Sequence, residues 1–157
     1  MSLPDVLALD TNCFLYLFQQ PSGPRGRFLS EQVLRPACRG ERRLVLPAVV
    51  VEELLVQAQE QGQRERGAQL ARALEVLPGL TVVPVTTRVA TLAARMAALA
   101  PPVRGEAGLS LTDAVVLATA ADAEAVLLTN DRRLAARARQ GTVLVLDDLV
   151  SAARKTP

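Results

Sequence analysis

The sequence contains no histidine, two cysteines and a single lysine, Lys155. Each shortage removes a class of chemistry. Without histidine there is no imidazole general base and no imidazole metal ligand, and two cysteines cannot build a zinc site. Hydrolytic chemistry in this chain must therefore rest on carboxylates and hard metal ions. The two cysteines make no disulfide framework. Cys13 falls in an apolar run and reads as core, so a reducing cytoplasm is the expected location. No long uncharged apolar run occurs, and no membrane span is expected. The N-terminus has no basic region ahead of an apolar stretch, and Asp5 and Asp10 interrupt it, so no signal peptide is expected. No glycine-rich turn follows the first apolar run, which argues against a dinucleotide-binding fold.

What is present points to a soluble α/β domain. The 157 residues are 50% apolar, enough for one domain over 1–157 with a core that needs neither disulfides nor structural metal. Of 18 basic residues all but Lys155 are arginine, within a net charge of only +2. Arginine is the better bidentate phosphate ligand. A GC-rich genome, which also raises alanine, leucine, glycine and proline, accounts for most of that excess.

The chain is organised around Val6-Leu7-Ala8-Leu9-Asp10-Thr11-Asn12. A short continuous apolar run reads as a strand buried on both faces of a parallel sheet, which puts Asp10 at its carboxyl end. Cys13 to Gln19 continue as a helix, and Pro21-Ser22-Gly23-Pro24 breaks it. Arg25 to Gly40 reads as one further helix. Leu44 to Leu46 form a strand, and residues 48–62 a helix whose first half is apolar except at Glu52 and Glu53. One of those two must face solvent or a polar cleft. A helix bearing Leu70, Leu74 and Leu77, a strand Leu80 to Val85, and a helix bearing Val89, Leu92, Met96 and Leu99 follow. Residues 101–109 are loop-like. The remainder reads helix, strand, helix, strand, helix. This alternation predicts a parallel sheet of about five strands with helices on both faces.

The acidic residues recur in a pattern: Asp10 at a strand end, an acid in the next helix, Asp113 opening a late helix, Asp131 after the following strand. Each has a modest explanation. Asp10, Thr11 and Asn12 are all good helix N-caps, Asp113 stands three after Ser110 as in a capping box, and Asp131 precedes a helix. Asp147 and Asp148 end the last strand in the same way. Parallel strands would nevertheless bring such acids to one edge of the sheet, where they raise one another's pKa unless cations neutralise them. Magnesium or manganese is the natural cation, and a pair of such ions can activate water against a phosphodiester.

Four segments, LALDTN, PAVVVEELL, LSLTDAVVLATA and VLLTNDRRL, occur in that order, and with them the chain resembles the PIN-domain nucleases, including the VapC-type toxins of toxin–antitoxin pairs. The resemblance covers nearly the whole chain. It implies a three-layer PIN-like fold and a metal-dependent endoribonuclease whose acidic quartet is Asp10, Glu53, Asp113 and Asp131, with one or two Mg²⁺ or Mn²⁺ ions per site. Glu52 is the alternative to Glu53, since a one-residue shift turns a side chain about 100° round a helix. Thr11, Asn12 and Thr129 are implied as supports that hydrogen bond the carboxylates or water on the metal. Glu106, in the loop before Asp113, is placed to be an extra ligand but reads better as a solvated loop charge. The resemblance also implies an RNA substrate, an antitoxin partner and a homodimer.

An acidic centre repels phosphate, so cations must lie beside it. Arg132 and Arg133, directly after Asp131, are the first candidates to guide the RNA backbone, with Arg25, Arg27 and Arg104 behind them. Two rival enzyme classes fail. A haloacid dehalogenase phosphatase needs a second acid where Asn12 stands and an interior lysine, and a response-regulator receiver needs the same lysine. The remaining alternative is a PIN fold kept as a nucleic-acid- or partner-binding module with little or no turnover.

Overall fold

A computed structural model describes residues 3–99, 108–138 and 142–155; Arg104 and Glu106 lie outside them. Five strands form one sheet: β1 (Val6–Leu9), β2 (Arg43–Pro47), β3 (Leu80–Val83), β4 (Val126–Thr129) and β5 (Val143–Val145), in the order β3-β2-β1-β4-β5. Every pairing is parallel. The continuous apolar runs have their expected cause. Leu7, Ala8, Leu9, Leu44, Leu46, Leu127 and Leu128 are fully buried, because helices cover both faces of a parallel sheet.

The first helix, α1 (Thr11–Gln19), begins two residues earlier than expected, since Asp10 is its N-cap. The expected helix from Arg25 to Gly40 is three pieces: α2 (Pro24–Phe28), a π-helical segment Leu29–Leu34, and α3 (Arg35–Cys38). Pro36 explains part of the irregularity. It has no N–H to give the Gln32 carbonyl four residues back, and the Arg42 guanidinium donates there instead.

Next come α4 (Ala48–Glu60), α5 (Arg64–Val76) and α6 (Thr87–Leu99). β3 ends at Val83 rather than Val85, with Pro84 next in the chain and unable to donate to the ladder. The last helices are α7 (Leu111–Asp122), α8 (Arg132–Arg137) and α9 (Leu146–Lys155). Seven consecutive residues of α7, Ala114 to Ala120, are buried. A helix apolar all round must be enclosed; here Ala114, Val115 and Ala118 pack with Val89 and Ala93 of α6. Asp147 and Asp148 stand in the first turn of α9 and not at a strand end, because β5 is only three residues long.

The strand order reverses between β1 and β4. In open α/β sheets the crevice at the carboxyl ends of such strands is where ligands bind.

Candidate active site

Asp10 closes β1. Its N–H donates to the Leu128 carbonyl of β4 at 3.1 Å, carrying the ladder one residue past the strand. Its Oδ1 accepts the Thr11 N–H at 2.7 Å, and its Oδ2 accepts from Asn12 Nδ2 at 2.7 Å and Thr129 Oγ1 at 2.5 Å. A carboxylate has about four acceptor positions, so three donors fix its plane and leave room for a cation. Thr129, the fully buried last residue of β4, is saturated. Its hydroxyl donates to Asp10 and accepts from Asn12 Nδ2 at 3.1 Å and from the Asp131 N–H at 3.0 Å, which uses its one proton and both lone pairs.

Asp131 follows two residues later and N-caps α8. Its Oδ1 accepts the Arg133 N–H at 2.7 Å and the Leu134 N–H at 3.1 Å. On α4, Glu53 is half-buried and accepts a hydrogen bond from the Thr11 hydroxyl, whereas Glu52 is exposed. On α7, the Ser110 hydroxyl accepts the Asp113 N–H at 3.0 Å, and the half-buried Asp113 carboxylate borders the same space as the others. Asp10, Glu52, Glu53, Asp113 and Asp131, with Thr11, Asn12 and Gln57 among their neighbours, line one open cleft of about 510 Å³. Capping and site-building therefore coincide at Asp10 and Asp131: the acids that start two helices also face the cleft.

Burial raises the Asp10 carboxyl above its ordinary range, and repulsion from Glu53 and Asp113 adds to this, against hydrogen bonds from Thr129 and Thr11. A cation in the cleft would remove that penalty. Among the described residues no three acidic or other ligating side chains close around one point. The charged donors of the cleft are all carboxylate oxygens, the chemistry that suits a hard ion such as Mg²⁺ held by one or two carboxylates and several waters.

The arginines divide. Arg132 and Arg133 are exposed beside Asp131, and Arg132 pairs with Asp148 at 2.6 Å. Arg27 is exposed on α2. Arg25 is committed elsewhere: its guanidinium chelates Asp147 with bonds of 2.6 and 2.8 Å and lies 4.7 Å from the Tyr16 ring centroid. Sequence reasoning missed the part played by Asn130. It donates its N–H to Asn12 Oδ1 at 2.9 Å and its Nδ2 to the Tyr16 hydroxyl at 3.1 Å. The only available signal was its place between Thr129 and Asp131.

A larger hollow of about 820 Å³ adjoins the cleft and shares Leu15 and Gln57 with it. α1, α4 and α5 form its walls, with Phe18, Leu54, Leu70 and Ala73 among the apolar lining and Arg66 the cation. Phe18 is 42% exposed there.

Solved structures with this fold include VapBC-1 from nontypeable Haemophilus influenzae, at 18% identity and TM-score 0.68 over 90% of this chain and 98% of that one. DNA-bound VapBC from Salmonella typhimurium is 20% identical, with TM-score 0.62 over 88% and 95%. VapC20 of Mycobacterium tuberculosis, described as a sarcin-ricin loop cleaving toxin, is 16% identical, with TM-score 0.62 over 83% and 93%. No curated protein sequence matches significantly. The family model of the PIN domain matches residues 7–140, a span that runs from β1 past α8 and includes every acid of the cleft. This chain belongs to the PIN domain family.

Proposed function

We propose that this chain is a metal-dependent endoribonuclease that hydrolyses RNA phosphodiester bonds in the acidic cleft, and that it acts as the toxin of a toxin–antitoxin pair. The observation that carries the first part is the convergence of Asp10, Glu53, Asp113 and Asp131, from four separate elements, on one open cleft at the β1–β4 crevice. These four carboxylates would hold one or two Mg²⁺ or Mn²⁺ ions. Once bound, such ions supply a lowered pKa for water and Lewis-acid stabilisation of the phosphate charge.

The chain's own residues divide the remaining work. Asp10 is locked by Thr11, Asn12 and Thr129, so it needs no rearrangement to receive a cation. The Thr11 hydroxyl aims Glu53, which favours it over the exposed Glu52. Asp131 keeps its place through the first turn of α8. Arg133 and, to a lesser degree, Arg132, whose charge is shared with Asp148, offset the negative centre for an approaching phosphate backbone. Toxin–antitoxin complexes among the similar folds support the second part, and the adjoining hollow offers apolar surface to a partner segment beside the site.

The test is cleavage of single-stranded RNA by nuclease-free protein. We expect cleavage with Mg²⁺ or Mn²⁺, none with EDTA, and none by Asp10→Asn. EDTA-resistant cleavage overturns the mechanism, because no histidine is present to replace the metal. Tight RNA binding without cleavage would leave a binding module on a PIN fold. For the toxin role, expression should arrest growth and co-expression of the neighbouring gene should relieve it; unhindered growth refutes it.

A further inference from the structure

Beyond the cleft, an unbroken set of hydrogen bonds runs from the surface of α2 to the central carboxylate. Arg25 of α2 chelates Asp147 in the first turn of α9. The Asp147 N–H donates to Asn130 Oδ1 at 3.1 Å, and Asn130 Nδ2 lies 3.4 Å from Asp147 Oδ2. The Asn130 N–H donates to Asn12 Oδ1 at 2.9 Å, and Asn12 Nδ2 donates to Asp10 Oδ2 at 2.7 Å. Residues 25 and 147 thus reach Asp10 through two asparagines.

The chemistry of an amide gives this path a direction. Asparagine carries an acceptor at one end and donors at the other. Because Asn130 gives its N–H to the oxygen of Asn12, the Asn12 nitrogen must face Asp10 and Thr129. Because Asp147 gives its N–H to the oxygen of Asn130, the Asn130 nitrogen must face Tyr16. Asn130 also joins Thr129 to Asp131 in the chain, so whatever holds Asn130 holds both neighbours of the cleft.

We infer that Arg25, Asp147 and Asn130 are positioning residues: they fix the Asn12 amide with its donor toward Asp10 and hold the Thr129–Asp131 segment in register for the reaction. This rests on the ribonuclease reading for its functional consequence, but not for its structural one. It also gives Arg25 a role other than touching RNA. The carboxylate takes the guanidinium's Nε–Nη2 fork, the edge that would otherwise grip a phosphate bidentately.

Two readouts test this separately. In metal-free protein, nuclear magnetic resonance should show the Asn12 side-chain amide protons exchanging slowly in the wild type and at least ~10-fold faster in Asp147→Asn and Arg25→Ala. In RNA cleavage with saturating Mn²⁺, kcat should fall about 10–100-fold in both variants, the range for residues that orient metal ligands. KM and the salt dependence of RNA binding should stay as in the wild type. Asp147→Asn is the decisive variant. If Arg25 served RNA directly, freeing it from Asp147 would strengthen binding, whereas a positioning role predicts loss of kcat alone. The Arg25→Ala and Asp147→Ala pair should be no worse together than singly. Tyr16→Phe, which removes only one hydroxyl, provides a mild variant should the others melt, and should show the same exchange effect in smaller size.

Unchanged amide exchange overturns the inference whether or not the protein cuts RNA. Faster exchange with unchanged kcat in a protein that cleaves RNA overturns the positioning role. A wild type that shows slow exchange but cuts no RNA sinks the ribonuclease reading and leaves the structural relay standing.

Discussion

The two sides of the cleft are built differently. On one side, Asp10 and Asp131 follow adjacent strands and share a single buried hydroxyl, that of Thr129, which donates to the first and accepts the N–H of the second. On the other side, Glu53 and Asp113 ride on α4 and α7, helices placed by packing, and the link between the two sides is the bond from Thr11 to Glu53. Strand ends are pinned by ladder bonds, while a helix settles only as well as its apolar face fits. The first side is thus pre-set by backbone and hydroxyl bonds, and the second is set by how α4 and the enclosed α7 pack.

The largest effect should come from the pre-set side. Asp10→Asn keeps the shape and loses the charge, and RNA cleavage should fall by on the order of 10³-fold or more, the scale on which loss of a central catalytic group acts. Comparable losses from Glu52→Gln would show that the wrong face of α4 has been assigned. Thr129→Val, which conserves shape and removes the shared hydroxyl, should cost about 10–100-fold in kcat. Cleavage at the wild-type rate would show that the ladder alone suffices to hold Asp10 and Asp131.

The helix-borne side should respond to metal. Mn²⁺ at about 100 times its dissociation constant should stabilise the wild type by roughly 2.7 kcal/mol. Asp113→Asn should lose most of that gain, yet in EDTA it should melt no earlier than the wild type, since it removes a like charge. Equal metal shifts in both proteins would return Asp113 to the role of a helix-start residue. A smaller effect concerns the rim. Removing Arg132 and Arg133 together should flatten the salt dependence of RNA binding by about 0.7 in logarithmic slope for each phosphate that is no longer neutralised. An unchanged slope places them on a solvated face.

The smallest effect belongs to the anchor of the pre-set side. Arg25 holds the Asp147 carboxyl below the ordinary carboxylate range, chiefly through its hydrogen bonds. A carboxyl depressed in the folded state adds stability in full above its unfolded pKa of about 3.9, and that contribution disappears as pH falls through the lower folded value. Both partners are about one-third exposed (36% and 35%), so solvent screening keeps the gain within roughly 1 kcal/mol. The difference in unfolding free energy between wild type and Asp147→Asn should therefore be present at neutral pH and shrink below about pH 4. A difference that grows on acidification would contradict the pairing.

Much of the fold is legible in the chain itself. β1 and β4 announce themselves because a strand covered on both faces must be apolar without interruption, and the acids at their ends stand out against that background. The enclosed helix α7 is legible for the same reason. The single helix expected from Arg25 to Gly40 fails for a physical reason. Its apolar spacing carries no mark of the π-helical segment, and the carbonyl orphaned by Pro36 finds its donor in Arg42, beyond the helix. The relay through Asn130 is invisible in the sequence. Arg25 and Asp147 are 122 positions apart, and charge patterning speaks only of neighbours on one helix or strand. Asp147 itself reads as a strand end, because β5 is too short to show its boundary.

The strand order has a consequence in time. β1 sits at the centre, and its partners on one flank, β2 and β3, are made well before β4. A nascent chain can register β1, β2 and β3 and still hold an unfinished Asp10, because Asn12 meets Thr129 and Asn130 across separations of 117 and 118 residues. Contacts of such span form late, after the entropy of closing the intervening loop has been met. On the ribonuclease reading, the growing polypeptide lacks its assembled acidic cleft until β4 pairs with β1.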